Sequence, residues 1–222
     1  MVKAIRDMNV IQIKYHETEE WLLKIHYAKR MPSITYSFGL YIKGVLEGIV
    51  TYGMPPSRTL CTGICGEEFK DNVLELNRLC LLNNKKNQAS FLIANSLKLL
   101  PKPYVIVSFA DTEMNHHGYI YQATNFIYTG LTDKHNEWRM KNTNYHGKSV
   151  TIDYSLEERI KNPDKFEMVS RSRKHRYIYF IGNKNQKKLL LKNLNYKIEP
   201  YPKGDNKNYI TGHKPTVQTV LF

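Results

Sequence analysis

The chain has 222 residues, 41% of them apolar and 16 of them tyrosine, a composition that suits a packed core and excludes a disordered tail. No apolar run approaches the roughly 18 residues needed to span a bilayer, no signal-peptide core opens the chain, and three cysteines, an odd number, argue for a reducing compartment. The expectation is a cytoplasmic protein without membrane association, whose net charge of +13 favours a polyanionic partner.

In chain order, ITYSFGLYIKGVLEGIVTYG reads as a β-hairpin turning at Lys43-Gly44, its arms rich in β-branched and aromatic residues. PPSRTLCTGICGEEF reads as a loop, and LELNRLCLL as a strand. SFLIANSLKLL follows as a helix, ended by Pro-Lys-Pro. YVIVSFAD is an apolar run with a polar end, as when a buried strand delivers a side chain to a cleft. HHGYIYQATNF has helical spacing, IYTGL returns as a strand, and residues 133–176 are polar with weak periodicity. RYIYFIG is a strand, KNQKKLLLKNL a short helix or hinge, and YPKGDNKNY is turn-rich. The expected class is α/β (α+β): a mixed central sheet flanked by helices over residues 1–132, with 133–222 as a basic elaboration packed on it.

Charge is uneven. Residues 1–150 carry 18 Lys/Arg against 13 Asp/Glu, whereas residues 151–222 carry 15 against 7. Between Ser170 and Lys192 there are eight Lys/Arg and no carboxylate. Such a stretch attracts DNA, RNA or an acidic membrane surface.

The strand-to-helix junction NNKKNQAS carries amides, two lysines and a hydroxyl, with no glycine. A helix start offers unpaired N–H groups and the positive end of its dipole, which suits a phosphate. Asn87, Gln88 and Ser90 add donors, and Lys85 and Lys86 add charge. An ordinary helix cap with solvated lysines explains the same residues equally well. Neither a Walker loop nor a Rossmann glycine pattern is present.

The succession of hairpin, strand, loop, helix, strand and IYQATNFIYTG resembles the GNAT acetyltransferase fold, in which this loop grips the pyrophosphate of coenzyme A. Tyr121, Ala123, Asn125-Phe126 and Gly130 resemble its closing motif, with Asn in place of the usual glycine. The usual Gln/Arg-x-x-Gly-x-Gly/Ala loop is absent.

Six phrases carry a narrower resemblance: HYAKR (26–30), GVLEGIVTYGMPPS (44–57), ELNRL (75–79), KNQAS (86–90), VSFAD (107–111) and HGYIYQATNFIYTG (117–130). In this order they resemble the Mom DNA-modification proteins of bacteriophages, a divergent GNAT-like group. That resemblance implies transfer of a carbamoylmethyl group to the exocyclic amine of adenine in double-stranded DNA, which blocks host restriction enzymes. It implies an acetyl-CoA-type donor and the catalytic residues His26, Tyr27, Arg78, Asp111 and Tyr121. It further implies that Lys86, Asn87, Gln88, Ala89 and Ser90 hold the coenzyme A pyrophosphate, and that Leu79, Cys80 and Leu81 pair with its pantetheine arm.

An adenine amine is a weak nucleophile, so transfer to it needs positioning, proton removal and charge stabilisation. Asp111 at a strand end can take or orient a proton, or simply cap the next turn. Tyr121 can protonate a departing thiolate, or pack as a helix tyrosine. Strand alternation sets Glu75 and Asn77 on one face and Leu76 and Arg78 on the other. His26 and Tyr27 can meet the base by hydrogen bond or stacking. Asp111, His116 and His117, joined by His26, have the ligand types of a non-haem iron site at a weakly specific spacing. The phosphate-contacting candidates are Lys29, Arg30, Arg171, Arg173, Lys174, Arg176, Lys184, Lys187 and Lys188. Two other readings stay open: a conventional GNAT enzyme acetylating a protein or small-molecule amine, and a non-catalytic DNA-binding protein on the same scaffold.

Overall fold

A computed structural model describes residues 7–143, 145 and 147–204. The expected turn-rich stretch from Tyr201 continues past Gly204, outside the described residues. The fold is α/β, a mixed central sheet flanked by helices. Among the described residues the sheet has seven strands: β1 (Met8–Gln12), β2 (Tyr36–Ile42), β3 (Val45–Gly53), β4 (Val73–Leu81), β5 (Tyr104–Asp111), β6 (Ile127–Leu131) and, from later in the chain, β9 (Lys174–Ile181). Their order is β1-β2-β3-β4-β5-β9-β6. Only β4 and β5 run parallel, and their crossover is the helix Gln88–Leu99.

Local chemistry explains the elements read correctly. The β2–β3 hairpin turns at Lys43 and Gly44, both at positive φ (51° and 82°), as a two-residue primed turn requires. The helix Gln88–Leu99 buries Leu92, Ile93, Ser96 and Leu97, an i, i+1, i+4, i+5 stripe laid on the sheet. There it meets Phe38, Leu40, Val50, Tyr52, Leu74, Leu76 and Ile106. The Tyr52 hydroxyl, fully buried, shares a 2.7 Å hydrogen bond with Ser96, so no polar atom is stranded in that layer.

Three expectations change. PPSRTLCTGICGEEF is not a loop: Arg58–Cys65 is an α-helix, α1, capped by Ser57, whose hydroxyl accepts from Leu60 N. Cys61, Ile64 and Cys65 fall at i, i+3 and i+4 and are buried against Val73, Val105, Val107, Ile178 and Phe180 on the opposite face of the sheet. The stretch 133–173 is structured: β7 (His135–Met140) pairs with β8 (Phe166–Arg171), with helices Gly147–Asp153 and Leu156–Lys161 between them. Most consequential is β9, assigned from sequence to the C-terminal elaboration. It lies between β5 and β6, pairing with β5 from Tyr104↔Ile181 to Asp111↔Lys174. A division at residue 132 therefore cuts through the central sheet.

Candidate functional site

The parallel β4–β5 ladder is short, covering Val73–Glu75 against Val105–Val107. Beyond it the strands part. β4 stays with β3 (Leu79↔Val50, Leu81↔Gly48), and β5 stays with β9 (Phe109↔Arg176, Asp111↔Lys174). Among the described residues no backbone pairing joins β4 to β5 past this point, where Ser108 Oγ donates to Leu76 O at 2.9 Å, and we take the gap between the two strands as the candidate cleft. The junction expected to seat an anion lies at the same end, because parallel strands share their C-terminal edge.

A β-bulge decides which side chains face this cleft. Tyr52 pairs with Leu76 and Thr51 with Arg78, leaving Asn77 without a backbone partner. Asn77 accepts from Thr51 Oγ1 at 2.6 Å and donates to Ser33 O at 2.7 Å, which pins the bulge and ties the 26–35 loop to the strand. Gly53 permits the approach, since a Cβ there would lie 1.8 Å from the Ser33 carbonyl oxygen. The extra residue reverses the expected alternation: Arg78 moves to the side of Glu75, and each feels the charge of the other.

Burial pushes the Glu75 carboxyl above its ordinary range, against the opposing charges of Lys174 and Arg78. The Arg78 guanidinium is destabilised by burial and by the like charge of Arg30. His26 is buried, not a surface histidine. Its N–H closes the short π-helix Trp21–Ile25, its Nδ1 accepts from Ala28 N at 3.1 Å, and its ring stacks on Tyr27 at 4.4 Å. Burial and then the charge of Arg78 pull its pKa down to about 4, so it is neutral at physiological pH with the proton on Nε2. Tyr27 is 69% exposed. Tyr121 packs between Phe126 and Tyr177, and burial raises its phenol to about 12, with Ser108 hydrogen-bonded to it. It therefore keeps its proton.

Asp111 ends β5. Burial raises its pKa, but hydrogen bonds from Ser172 and Glu113 N and the charge of Lys174, 3.5 Å away, hold it below the usual range. It is thus a well-held anion that positions its neighbours, and a weaker base than Glu75. Glu75 is the residue absent from the sequence-derived set; its only signal was the ELNR spacing, which the bulge disguises.

At the junction, Asn87 adopts a left-handed conformation (φ 70°) and its side chain caps nothing. Gln88 is buried with its Oε1 accepting from Lys85 N, and Ser90 Oγ donates to Asn87 O. The backbone N–H groups of Lys86, Asn87, Ala89 and Ser90 make no hydrogen bond among the described residues. Four free amides at a helix start suit a pyrophosphate. At Leu79, Cys80 and Leu81 the edge of β4 away from β3 has no strand paired to it among the described residues, which suits an extended amide arm.

The proposed iron ligands do not assemble. Among the described residues no three His, Cys, Asp or Glu side chains are grouped to hold a metal. Asp111 is engaged by Lys174, His117 leans on Tyr119 and His175, and His116 is exposed. The cationic set divides as well. Lys29 and Arg30 are exposed on the loop beside Arg78. Lys174 pairs with Asp111, Arg171 with Glu137; Arg173 donates to Leu131 O and Thr132 O. Arg176 stacks 3.4 Å over Tyr196 and donates to Thr129. Lys184, Lys187 and Lys188 lie on the helix Lys184–Lys192, which follows the end of β9 farthest from Asp111. Seven residue steps, roughly 23 Å, separate the two ends.

The Mom protein family model matches residues 7–203. The methylcarbamoylase mom of Escherichia phage Mu is 26% identical over 192 residues, covering 80% of this chain and 76% of that protein. Among solved structures, NAA60 of Arabidopsis thaliana in complex with a bisubstrate analogue superposes with a TM-score of 0.48 at 13% identity, covering 78% of this chain and 98% of its own. A GNAT-family acetyltransferase from Bacillus cereus ATCC 10987 gives 0.41 at 12% identity over 78% and 96%. Among the described residues no helix is long and apolar enough to cross a membrane.

Proposed function

We propose that this chain, which belongs to the Mom protein family, transfers a carbamoylmethyl group to the exocyclic amine of adenine in double-stranded DNA and thereby shields phage DNA from host restriction. The observation that carries this reading is the convergence, in a chain of that family, of Glu75, Arg78, His26, Tyr27 and Tyr121 on one cleft beside a row of free amides. A paired adenine cannot enter a cleft of this kind, so the nucleotide is extruded from the duplex, at a cost of roughly a few kcal/mol. Exposed Tyr27, stacked on His26, offers the extruded base an aromatic face.

The free amides of 86–90 and the unpaired edge of β4 fit a coenzyme A-type donor, which when bound would supply the two-carbon unit of the transferred group. Glu75 then accepts the proton that the adenine amine loses. Tyr121 holds a proton at its Oη for the leaving group displaced from the carbon to which the amine bonds. Neutral His26 donates from Nε2, and Asp111 keeps Lys174 beside the cleft. The side chains do not fit iron, and no step is assigned to it.

The decisive experiment is nucleoside mass spectrometry of DNA from bacteria expressing the chain, beside cells expressing Asp111→Asn. The expected result is an adenine adduct with wild type and a strongly reduced amount with Asp111→Asn. Acetylation of a free amine without DNA would identify a conventional GNAT enzyme instead. Salt-sensitive DNA binding with no adduct would identify a non-catalytic binder.

The Glu75 assignment has its own pH signature. A base works only when ionised, and this carboxyl ionises at a higher pH than an ordinary glutamate. Single-turnover rates of adduct formation should fall as pH drops through that raised value. Glu75→Gln should remove this acidic limb and lower the plateau by roughly 10²-fold. An unchanged acidic limb in Glu75→Gln would assign proton removal elsewhere.

A further inference from the structure

Among the described residues Arg78 has no carboxylate in contact with its guanidinium. Its Nε is shielded from solvent and has no acceptor among the described residues, and its Nη1 donates only to the carbonyl of its neighbour Asn77, at 2.6 Å. A guanidinium carries five donors, and leaving one buried and unmet is costly. Glu75 and Tyr27 favour its charge from a distance, but among the described residues Arg78 makes no ion pair within 4 Å. A second guanidinium, that of Arg30, acts on the same spot with the same sign. A half-buried arginine with an unmet donor, an exposed second arginine acting on it and no carboxylate in contact among the described residues describe a seat for an oxyanion.

We infer that Arg78 and Arg30 form a phosphate seat at the mouth of the cleft, which grips the phosphodiester adjoining the extruded adenosine. This rests on the DNA-modification reading above. Arg78 is fixed by the bulge at the cleft wall, whereas Arg30 and Lys29 are exposed on the loop outside it. The positive surface thus runs from inside to outside, as a polymer backbone requires and a small free acid does not. The seat also lies on the other face of the sheet from the helix that the 86–90 amides begin, since Arg78 pairs with Thr51 whereas the helix packs on the face of Tyr52 and Leu76. It would fix the depth to which the nucleotide enters and leave the base free to lie against Tyr27.

The test uses a short fluorescent DNA duplex containing a single adenine. It is compared with versions carrying a neutral methylphosphonate at a linkage flanking that adenine or at a distant linkage. Wild type should lose roughly ten- to hundredfold in affinity when one flanking linkage is neutralised, and little when the distant one is. Arg78→Gln should bind the unmodified duplex as weakly as wild type binds the neutralised one, and no longer distinguish the two. Arg30→Gln, on an exposed loop where folding is not at stake, should lose part of the same discrimination. Equal wild-type binding to all the duplexes overturns the seat while leaving DNA as substrate. Displacement by acetate with no effect of neutralisation also overturns it, in favour of a small carboxylate. Failure of wild type to bind any duplex removes the DNA reading along with it.

Discussion

Tyr121→Phe is expected to slow adduct formation by roughly 10²- to 10⁴-fold, the span attributed to a positioned proton donor, while the protein stays folded. The substitution is narrow. Phenylalanine retains the ring contacts with Phe126 (5.4 Å) and Tyr177 (5.2 Å) and deletes only the hydroxyl that meets Ser108. Burial, the hydrogen bond with Ser108 and the influence of Tyr27 and Glu75 together leave that phenol titrating at about 12. It is therefore a proton donor across the physiological range, and its loss should depress the rate at every pH without moving the acidic limb due to Glu75. Single-turnover adduct formation measures the effect, with thermal unfolding to show that the mutant is intact. A rate within threefold of wild type would reduce Tyr121 to a packing residue.

Phe126→Ala should cost about 3–5 kcal/mol of folding free energy, by lost transfer energy and the cavity left behind. Phe126 is fully buried between Tyr121 and Tyr179, and its backbone N–H and carbonyl bind Tyr121 O and the Tyr201 hydroxyl. Native domains hold only about 5–15 kcal/mol in total, so this is a large fraction. Urea unfolding should show a lower midpoint with an unchanged slope, whereas Phe126→Leu should cost less than about 1.5 kcal/mol. A loss below 1 kcal/mol in Phe126→Ala would show that the aromatic layer collapses around the gap. Because the ring also braces Tyr121, activity should fall further than the folded fraction does.

What could be read from the residues is what depends on local pattern. The hairpin at Lys43-Gly44, the helix Gln88–Leu99 and the strands around YVIVSFAD and RYIYFIG each follow from periodicity and punctuation over a few residues. The helix Arg58–Cys65 was hidden because two prolines and two glycines surround a short Cys-Ile-Cys stripe, and the Ser57 cap is a weak signal alone. The side of the sheet that Arg78 faces was not legible, because nothing in LELNRLCLL marks Asn77 as the bulged residue; Thr51 and Ser33, distant in sequence, fix it. For the same reason Glu75, placed on the face opposite Arg78, was left out of the site. His26, Tyr27, Arg78, Asp111 and Tyr121 entered through family resemblance, which records outcomes of folding that local physics cannot supply. The cationic stretch was visible as composition, but composition does not show that Arg173 and Arg176 serve backbone carbonyls and a tyrosine ring.

The placement of β9 has a consequence for synthesis. A nascent chain that has emerged only as far as Leu131 carries both flanking strands with the slot between them vacant, their inward edges unsatisfied. The sheet closes only after some fifty further residues have left the ribosome, a long-range pairing that is slow by its topology. Until then the half-built protein exposes adhesive backbone in a crowded cell, and abundant expression at low temperature or with a holdase should favour its recovery over rapid synthesis at high temperature.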